Sequence, residues 1–286
     1  MAAFLSLVVV CLGIVATGHV VEGVVGGTPL EPGEWPFLVS LHFKPDHPFT
    51  NKTRQRHLCT GTLIRPQWVL TAGHCFDAEE WDGLENKSNW VVLIGEHNQY
   101  KKEGTEQRMR IRKVFRHKNY TARPLLRDLT LLKLKRPAIL SRYVQPIALD
   151  TEGRCTEVGA SVSVAGWGQI AYRPLGWSMY IPLRVNITVI EQDRCSQGYA
   201  TVPDDDPDKA FYAPEEESVI CAGSPSGGRD ACLGDSGGPL ACYYDNAWHE
   251  GAVVSTGYNC GKAEYPGLYT KLTSYLDWIE RTIDRH

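Results

Sequence analysis

Past its first sixteen residues the chain has no apolar run long enough to cross a bilayer, no excess of one charge and no low-complexity linker. Each absence removes a class of protein. A membrane span needs about 20 apolar residues, and the one apolar run, Ala2 to Ala16, falls short of that. Thirty Lys and Arg stand against 33 Asp and Glu, a net charge of −3 over 286 residues. No global field therefore draws the chain to nucleic acid or to an anionic membrane. No internal repeat divides the sequence, and 43% hydrophobic residues suffice for a sizeable core. C-x-x-C pairs and H-x-x-x-H spacings are missing, which weighs against a zinc site.

What is present points to an oxidising compartment. The N-terminal run ends in small residues suited to a signal peptidase, and the Met1 amine stands in for the missing Lys or Arg. Residues 1–18 are read as a signal peptide, followed by a short propeptide, 19–23. Cleavage directly after Gly23 is the alternative, and a buried N-terminal helix is the competing reading. Either cleavage leaves a secreted, extracellular domain of residues 24–286 and removes Cys11. Eight cysteines remain, Cys59, Cys75, Cys155, Cys195, Cys221, Cys232, Cys242 and Cys260, which read as four disulfides among roughly a hundred pairings that spacing does not rank. Glycosylation sequons at Asn51, Asn86, Asn119 and Asn186 fit the same compartment. In LRVNITVI, Val185, Ile187 and Val189 alternate with Arg184, Asn186 and Thr188, which puts Asn186 on the water face of a strand.

The body of the chain reads as short strands, among them 34–43, 90–95, 108–115, 129–134, 161–168, 239–244 and 251–257. Gly, Pro and charged loops separate them, which favours an all-β sandwich or barrel pair over βαβ units. Helical period occurs only at the C-terminus, where Leu272, Tyr275, Leu276, Ile279 and Ile283 recur on one face.

Three separated segments carry chemistry: TAGHC (71–75), RDLTLLKL (127–134) and GDSGGPL (234–240). A serine hydroxyl is a weak nucleophile until a neutral imidazole takes its proton, and the imidazole needs a buried carboxylate to fix its tautomer. Ser236, His74 and Asp128 supply that set. Each segment alone has a structural explanation; their combination does not.

Together with VVGGTPLEPGEWPF, AGWG (165–168), GRDACLGDSGGPL and YPGLYTKLTSYLDWI, all in the same order, these segments make residues 24–286 resemble the chymotrypsin/trypsin family of serine proteases, in its trypsin-like subgroup. The resemblance implies two antiparallel six-stranded β-barrels with a C-terminal helix and a cleft between the barrels. It implies catalysis by His74, Asp128 and Ser236, with the N–H groups of Gly234 and Ser236 as the oxyanion hole. It selects the pairs Cys59–Cys75, Cys155–Cys242, Cys195–Cys221 and Cys232–Cys260. Asp230, six residues before the nucleophile, implies cleavage after Arg or Lys, with Gly257 and Gly267 leaving the pocket open and Ser255 supporting the triad.

Activation in this family pairs a new N-terminal amine with the Asp beside the nucleophile, here Val24 with Asp235. The preceding HVVEG offers no Arg or Lys for a trypsin-like activator of the zymogen. No cofactor is required, but GEHNQYKKEGTEQ (95–107) resembles the family's calcium loop, with Glu96, Asn98, Lys101, Glu103 and Glu106 as ligands. Expected partners are protein or peptide substrates and protein inhibitors of a monomeric enzyme.

Some features depart from the pattern. Thr256 stands where an aromatic residue is typical, and Thr60 and Gly73 replace commoner residues without removing a catalytic atom. Insertions at 42–58, 76–89 and 204–217 suggest restricted access to the cleft, although solvated loops explain them as well. Arg108, Arg110 and Arg112 lie on one face of a strand and suggest a heparin-like polyanion; an exposed charged strand is the plainer reading. A catalytically idle binding protein acting through the charged loops is the rival function.

Overall fold

Alternation of side chains along LRVNITVI is what a pleated strand requires: Val185, Ile187 and Val189 are buried and Asn186 is exposed. The computed structural model describes residues 24–44, 56–78, 83–169, 179–214 and 216–286. The leader, its cleavage positions and Asn51 lie outside them, as does part of each charged insertion. Within the described residues Leu183–Ile190 opens a ring of antiparallel strands that continues through Ser161–Gly166, Pro239–Tyr244, Ala247–Thr256, Gly267–Lys271 and Val219–Gly223. The last of these pairs back with the first, so six strands close a barrel.

The N-terminal half forms a second antiparallel sheet. Its order is Gln107–Met109, Trp90–Ile94, Leu38–Phe43, Arg56–Arg65, Trp68–Thr71, Thr130–Leu134 and Ile111–Arg116. The two outermost strands are successive pieces of one stretch of chain, interrupted at Arg110. The sheet therefore curls round on itself through the backbone of that residue, not through a ladder. The expected pair of closed barrels is met by one closed barrel and one curled sheet. Across the break Met109 and Ile111 are buried while Arg108, Arg110 and Arg112 are exposed, so the anticipated alternation holds.

Two helices occur among the described residues, Gln192–Tyr199 and Leu276–Arg285. The second matches the C-terminal periodicity, with Leu272 placed in a preceding 3-10 turn, Leu272–Ser274. The first escapes sequence reading because only Cys195 and Tyr199 are buried in it and no apolar stripe forms. Neither is long and apolar enough to cross a membrane. All four disulfides pair as the resemblance implies.

One apolar cluster fills the curled sheet and runs on into the junction between the halves. It joins Trp35, Phe37 and Trp90 to Trp167, Ala241 and Val253, and to Leu272, Tyr275 and Ile279 of the C-terminal segment. Burying a large apolar side chain contributes about 1.5–3 kcal/mol, so the two halves are welded by the same effect that folds each. A polar contact crosses the junction as well. The Thr62 hydroxyl donates to Glu250 Oε1 at 3.0 Å, while Oε2 of this fully buried glutamate has no partner. Burial pushes the Glu250 carboxyl up to about 8 against the single Thr62 hydrogen bond.

Candidate active site

Strand pairing brings the first two chemical residues together. Thr71 and Thr130 are partners in the ladder between Trp68–Thr71 and Thr130–Leu134; His74 follows the first strand and Asp128 precedes the second. The Asp128 carboxylate is fully buried and accepts three hydrogen bonds. His74 N–H reaches Oδ1 at 2.8 Å, while His74 Nδ1 at 2.8 Å and the Ser255 hydroxyl at 2.6 Å reach Oδ2. Burial alone would raise its pKa, but the charge and hydrogen bond of the imidazole, with the donors from Ser255 and the His74 backbone, hold it below the ordinary carboxylate value. Because Nδ1 donates to the carboxylate, Nε2 is left as the basic nitrogen. Gly73 makes room at this point: a Cβ there would lie 2.8 Å from the Tyr120 ring and 3.0 Å from Asp128 Oδ1.

Ser236 lies in a tight turn of the closed barrel. Its carbonyl accepts the Thr60 N–H at 2.8 Å across the junction, and the Gly237 N–H is held by the Val254 carbonyl at 2.8 Å. Ser236 and His74 line one cleft of about 350 Å³, together with Asp230, Ser255, Thr256, Gly257, Gly267 and Tyr269.

Gly234 has φ of +100°, a region that only glycine enters freely. The peptide before it is fixed because the Leu233 carbonyl accepts Gln169 N–H at 2.8 Å, so the Gly234 N–H of that trans peptide points the opposite way. The peptide after it is fixed by two residues whose role sequence reading missed. The Gly234 carbonyl accepts from His57 Nε2 at 2.9 Å and from the Thr60 hydroxyl at 3.0 Å. The Ser40 hydroxyl donates to His57 Nδ1 at 2.8 Å. Burial, then the neighbouring His42, push the His57 imidazole down to about 3 despite the Gly234 contact, so it is neutral and carries its proton on Nε2. Thr60, a harmless departure in the sequence, thus takes part in holding the backbone beside Ser236.

Two further carboxylates are buried nearby. Asp235 accepts N–H groups of Gly168 and Cys232, each at 2.9 Å, and burial pushes it up to about 7. Val24 is fully buried in the core of the same barrel, with Val164, Ala231 and Leu240. In the uncut chain its nitrogen is an amide, and no ion pair to Asp235 is present among the described residues. Asp230 lies at the floor of the cleft, 3% exposed. Its Oδ2 accepts Gly261 N–H at 3.0 Å and its Oδ1 has no partner. Burial raises its carboxyl to about 7, opposed by backbone donors and helped by Asp235. A Cβ on Gly267 would lie 2.9 Å from Asp230 Oδ1 and 3.0 Å from the Tyr269 hydroxyl, so any larger residue would fill the floor.

Away from the cleft, the carboxylates of Glu96, Glu103 and Glu106 converge within 4.8 Å. Glu96 Oε1 is buried without a partner, and burial followed by repulsion from Glu106 and Glu103 raises that carboxyl to about 7. Asn98 N–H donates to Glu103 Oε2 at 2.9 Å, and the Asn98 carbonyl accepts the N–H of exposed Lys101 at 2.9 Å. The donor set is all oxygen, partly unsatisfied and mutually repelling, and so fits a hard cation. Asn86, Asn119 and Asn186 are all exposed.

Comparison with known proteins agrees with this geometry. The trypsin family model matches residues 24–279. A curated trypsin of Xenopus laevis is 33% identical over 279 residues, covering 97% of this chain and 97% of its own length.

Proposed function

Given that the chain belongs to the trypsin family of serine proteases, we propose that it is a secreted endopeptidase cutting peptide bonds after Arg or Lys through an acyl-enzyme. The observation that carries the specificity is the unpartnered Oδ1 of buried Asp230, in one cleft with His74 and Ser236. A carboxylate in that position gains most from a guanidinium or ammonium that arrives with its own donors.

In this reading the Ser236 hydroxyl attacks the carbonyl carbon after Arg or Lys while His74 Nε2 takes its proton. Asp128 holds the imidazole through Nδ1 and stabilises the imidazolium. The tetrahedral oxyanion is met by the N–H groups of Gly234 and Ser236, donors worth about 2.7–4 kcal/mol each when lost. Collapse breaks the C–N bond, and the imidazolium protonates the departing amine. Water, deprotonated by His74, then attacks the acyl ester and releases the carboxylate and the serine.

Reporter peptides with Arg, Lys or Phe before the scissile bond test this reading, with an arginine chloromethyl ketone to label His74. Cleavage of the Arg and Lys reporters with His74 labelled is expected; preference for Phe overturns the specificity. No labelling on correctly processed protein would return the weight to an idle binding protein.

Activation is proposed to require the free Val24 amine as the cation for Asp235, released either by signal peptidase after Gly23 or by removal of 19–23. Val24 has φ of +41°, unfavourable for a β-branched residue and lost as a constraint once the preceding bond is cut. N-terminal sequencing of active protein from culture medium checks both secretion and processing; residues 19–23 intact on a fully active enzyme would refute the requirement. A calcium ion at Glu96, Glu103 and Glu106 is proposed to stabilise the fold, so chelation should lower the melting temperature. An unchanged temperature counts against it.

A further inference from the structure

The cleft continues past the reacting residues. Its far wall is made by Leu125 and by Phe211, Tyr212 and Asp208, the last three contributed by the insertion between Cys195 and Cys221. Thr256, also lining it, offers only a small side chain, so the apolar surface here comes from the insertion and Leu125. A cluster of tyrosines holds the insertion in place. Tyr212 packs on Tyr199 with ring centres 5.0 Å apart and on Tyr258 at 5.9 Å, and Tyr258 packs on Tyr265 at 4.9 Å.

Three charges of this insertion, Asp204, Asp206 and Lys209, are already engaged. Asp206 Oδ2 accepts the Tyr258 hydroxyl at 2.8 Å, and Lys209 Nζ bonds the Val202 carbonyl at 2.7 Å and Asp204 at 2.5 Å. Asp208 differs. It precedes the 3-10 turn Lys209–Phe211, yet its side chain makes no capping bond. Among the described residues no Lys, Arg or His forms an ion pair with it. It is half-buried and faces the cavity that holds Ser236. The opposing charge is Arg123, whose guanidinium lies 4.8 Å over the Phe211 ring.

We propose that Asp208 is a specificity residue that draws a second Lys or Arg, upstream of the scissile bond, onto the wall formed by Leu125, Phe211 and Tyr212. This rests on the reading of Asp230 above. If that floor takes the side chain next to the scissile bond, residues preceding it occupy the remainder of the same cavity. A Lys or Arg there lays its aliphatic stem on the apolar wall and its charged head at the carboxylate. The substrate class is thus a peptide with two basic residues on the acyl side, one at the bond cut and one before it.

The test uses peptides that end in the same Arg reporter and carry Lys, Leu or Glu at each of the three preceding positions. Rates are compared as kcat/KM ratios within each protein. The native enzyme is expected to favour Lys over Glu at one position by about threefold to fivefold, as befits a partly exposed ion pair. High salt should shrink the ratio. D208N should bring it close to one, and D208K should turn it toward Glu. Equal rates in the native enzyme, or a Lys preference that survives in D208N, overturn the proposal and leave the Arg reading intact. A native preference for Glu identifies Arg123 as the reading group and also overturns it. If no member of the set is cut, both readings fall.

Discussion

Asp128 and Asp230 are the same residue type, equally buried, and they shift in opposite directions. Asp128 accepts three donors, the His74 imidazole among them, which together outweigh burial and keep it ionised. Asp230 has a backbone donor on one oxygen and nothing on the other, and burial carries it up to about 7. In the proposed mechanism the carboxylate completed from within serves the reaction, and the one left incomplete receives the cation of the substrate.

Removing each charge should separate the two roles. D128N is expected to lower kcat about ten-thousand-fold, a magnitude carried over from the family's triad, because the imidazole then takes the wrong tautomer. The folded-state pKa of Asp128 is depressed, so its stabilising effect is present above its unfolded value and lost as pH falls through the folded one; D128N should melt lower at pH 7. D230N is expected to cut kcat/KM on Arg reporters roughly a hundredfold or more. Its melting should move the other way. The raised pKa of Asp230 gives stability that is full below 3.8 and lost as pH rises through about 7, so D230N should equal the parent at low pH and exceed it at pH 8. Calorimetry across pH reads both, and a D230N protein less stable than its parent at pH 8 would break the comparison.

His57 and Glu250 extend the contrast with smaller effects. H57A and T60V each remove one donor from the Gly234 carbonyl, and kcat should fall about fivefold to tenfold with KM little changed. A rise in KM alone would show that the backbone beside Ser236 does not depend on them. Glu250 resembles Asp230 in having one carboxylate oxygen without a partner but does not line the cleft of Ser236. Its stabilising effect is full below 4.5 and lost as pH rises through about 8. E250Q should therefore raise the melting temperature at pH 9 but not at pH 4, by roughly 2–4 °C per kcal/mol recovered. An unchanged difference between the two pH values would show that Glu250 does not titrate in the fold.

The chemical segments were legible because nucleophile, base and carboxylate each stand in a distinctive short stretch, and the strands because Leu183–Ile190 and its like alternate. His57 was not. It stands two residues before a cysteine in a basic stretch, and what gives it a role is a carbonyl 177 positions away. The helix Gln192–Tyr199 was illegible for a different reason, since a disulfide and neighbouring tyrosines set its place without any periodic apolar face. Glu250 falls in a strand where the buried Ala252, Val253 and Val254 that follow it are apolar. Its burial follows from the meeting of two halves, which no local pattern records.

The C-terminal helix belongs by sequence to the closed barrel and by packing to the curled sheet. Leu272, Tyr275 and Ile279 sit in the sheet's core, Trp278 packs against His117 with ring centres 5.1 Å apart, and Arg65 pairs with Glu280 at 3.0 Å. During synthesis the first half of the chain emerges with that side uncovered, because the segment that covers it, Leu272 to Arg285, follows the closed barrel in the sequence. The order of synthesis thus imposes a delay of its own: a nascent chain that already holds His74, Asp128 and Ser236 still leaves the core of the curled sheet open until Leu276–Arg285 has docked.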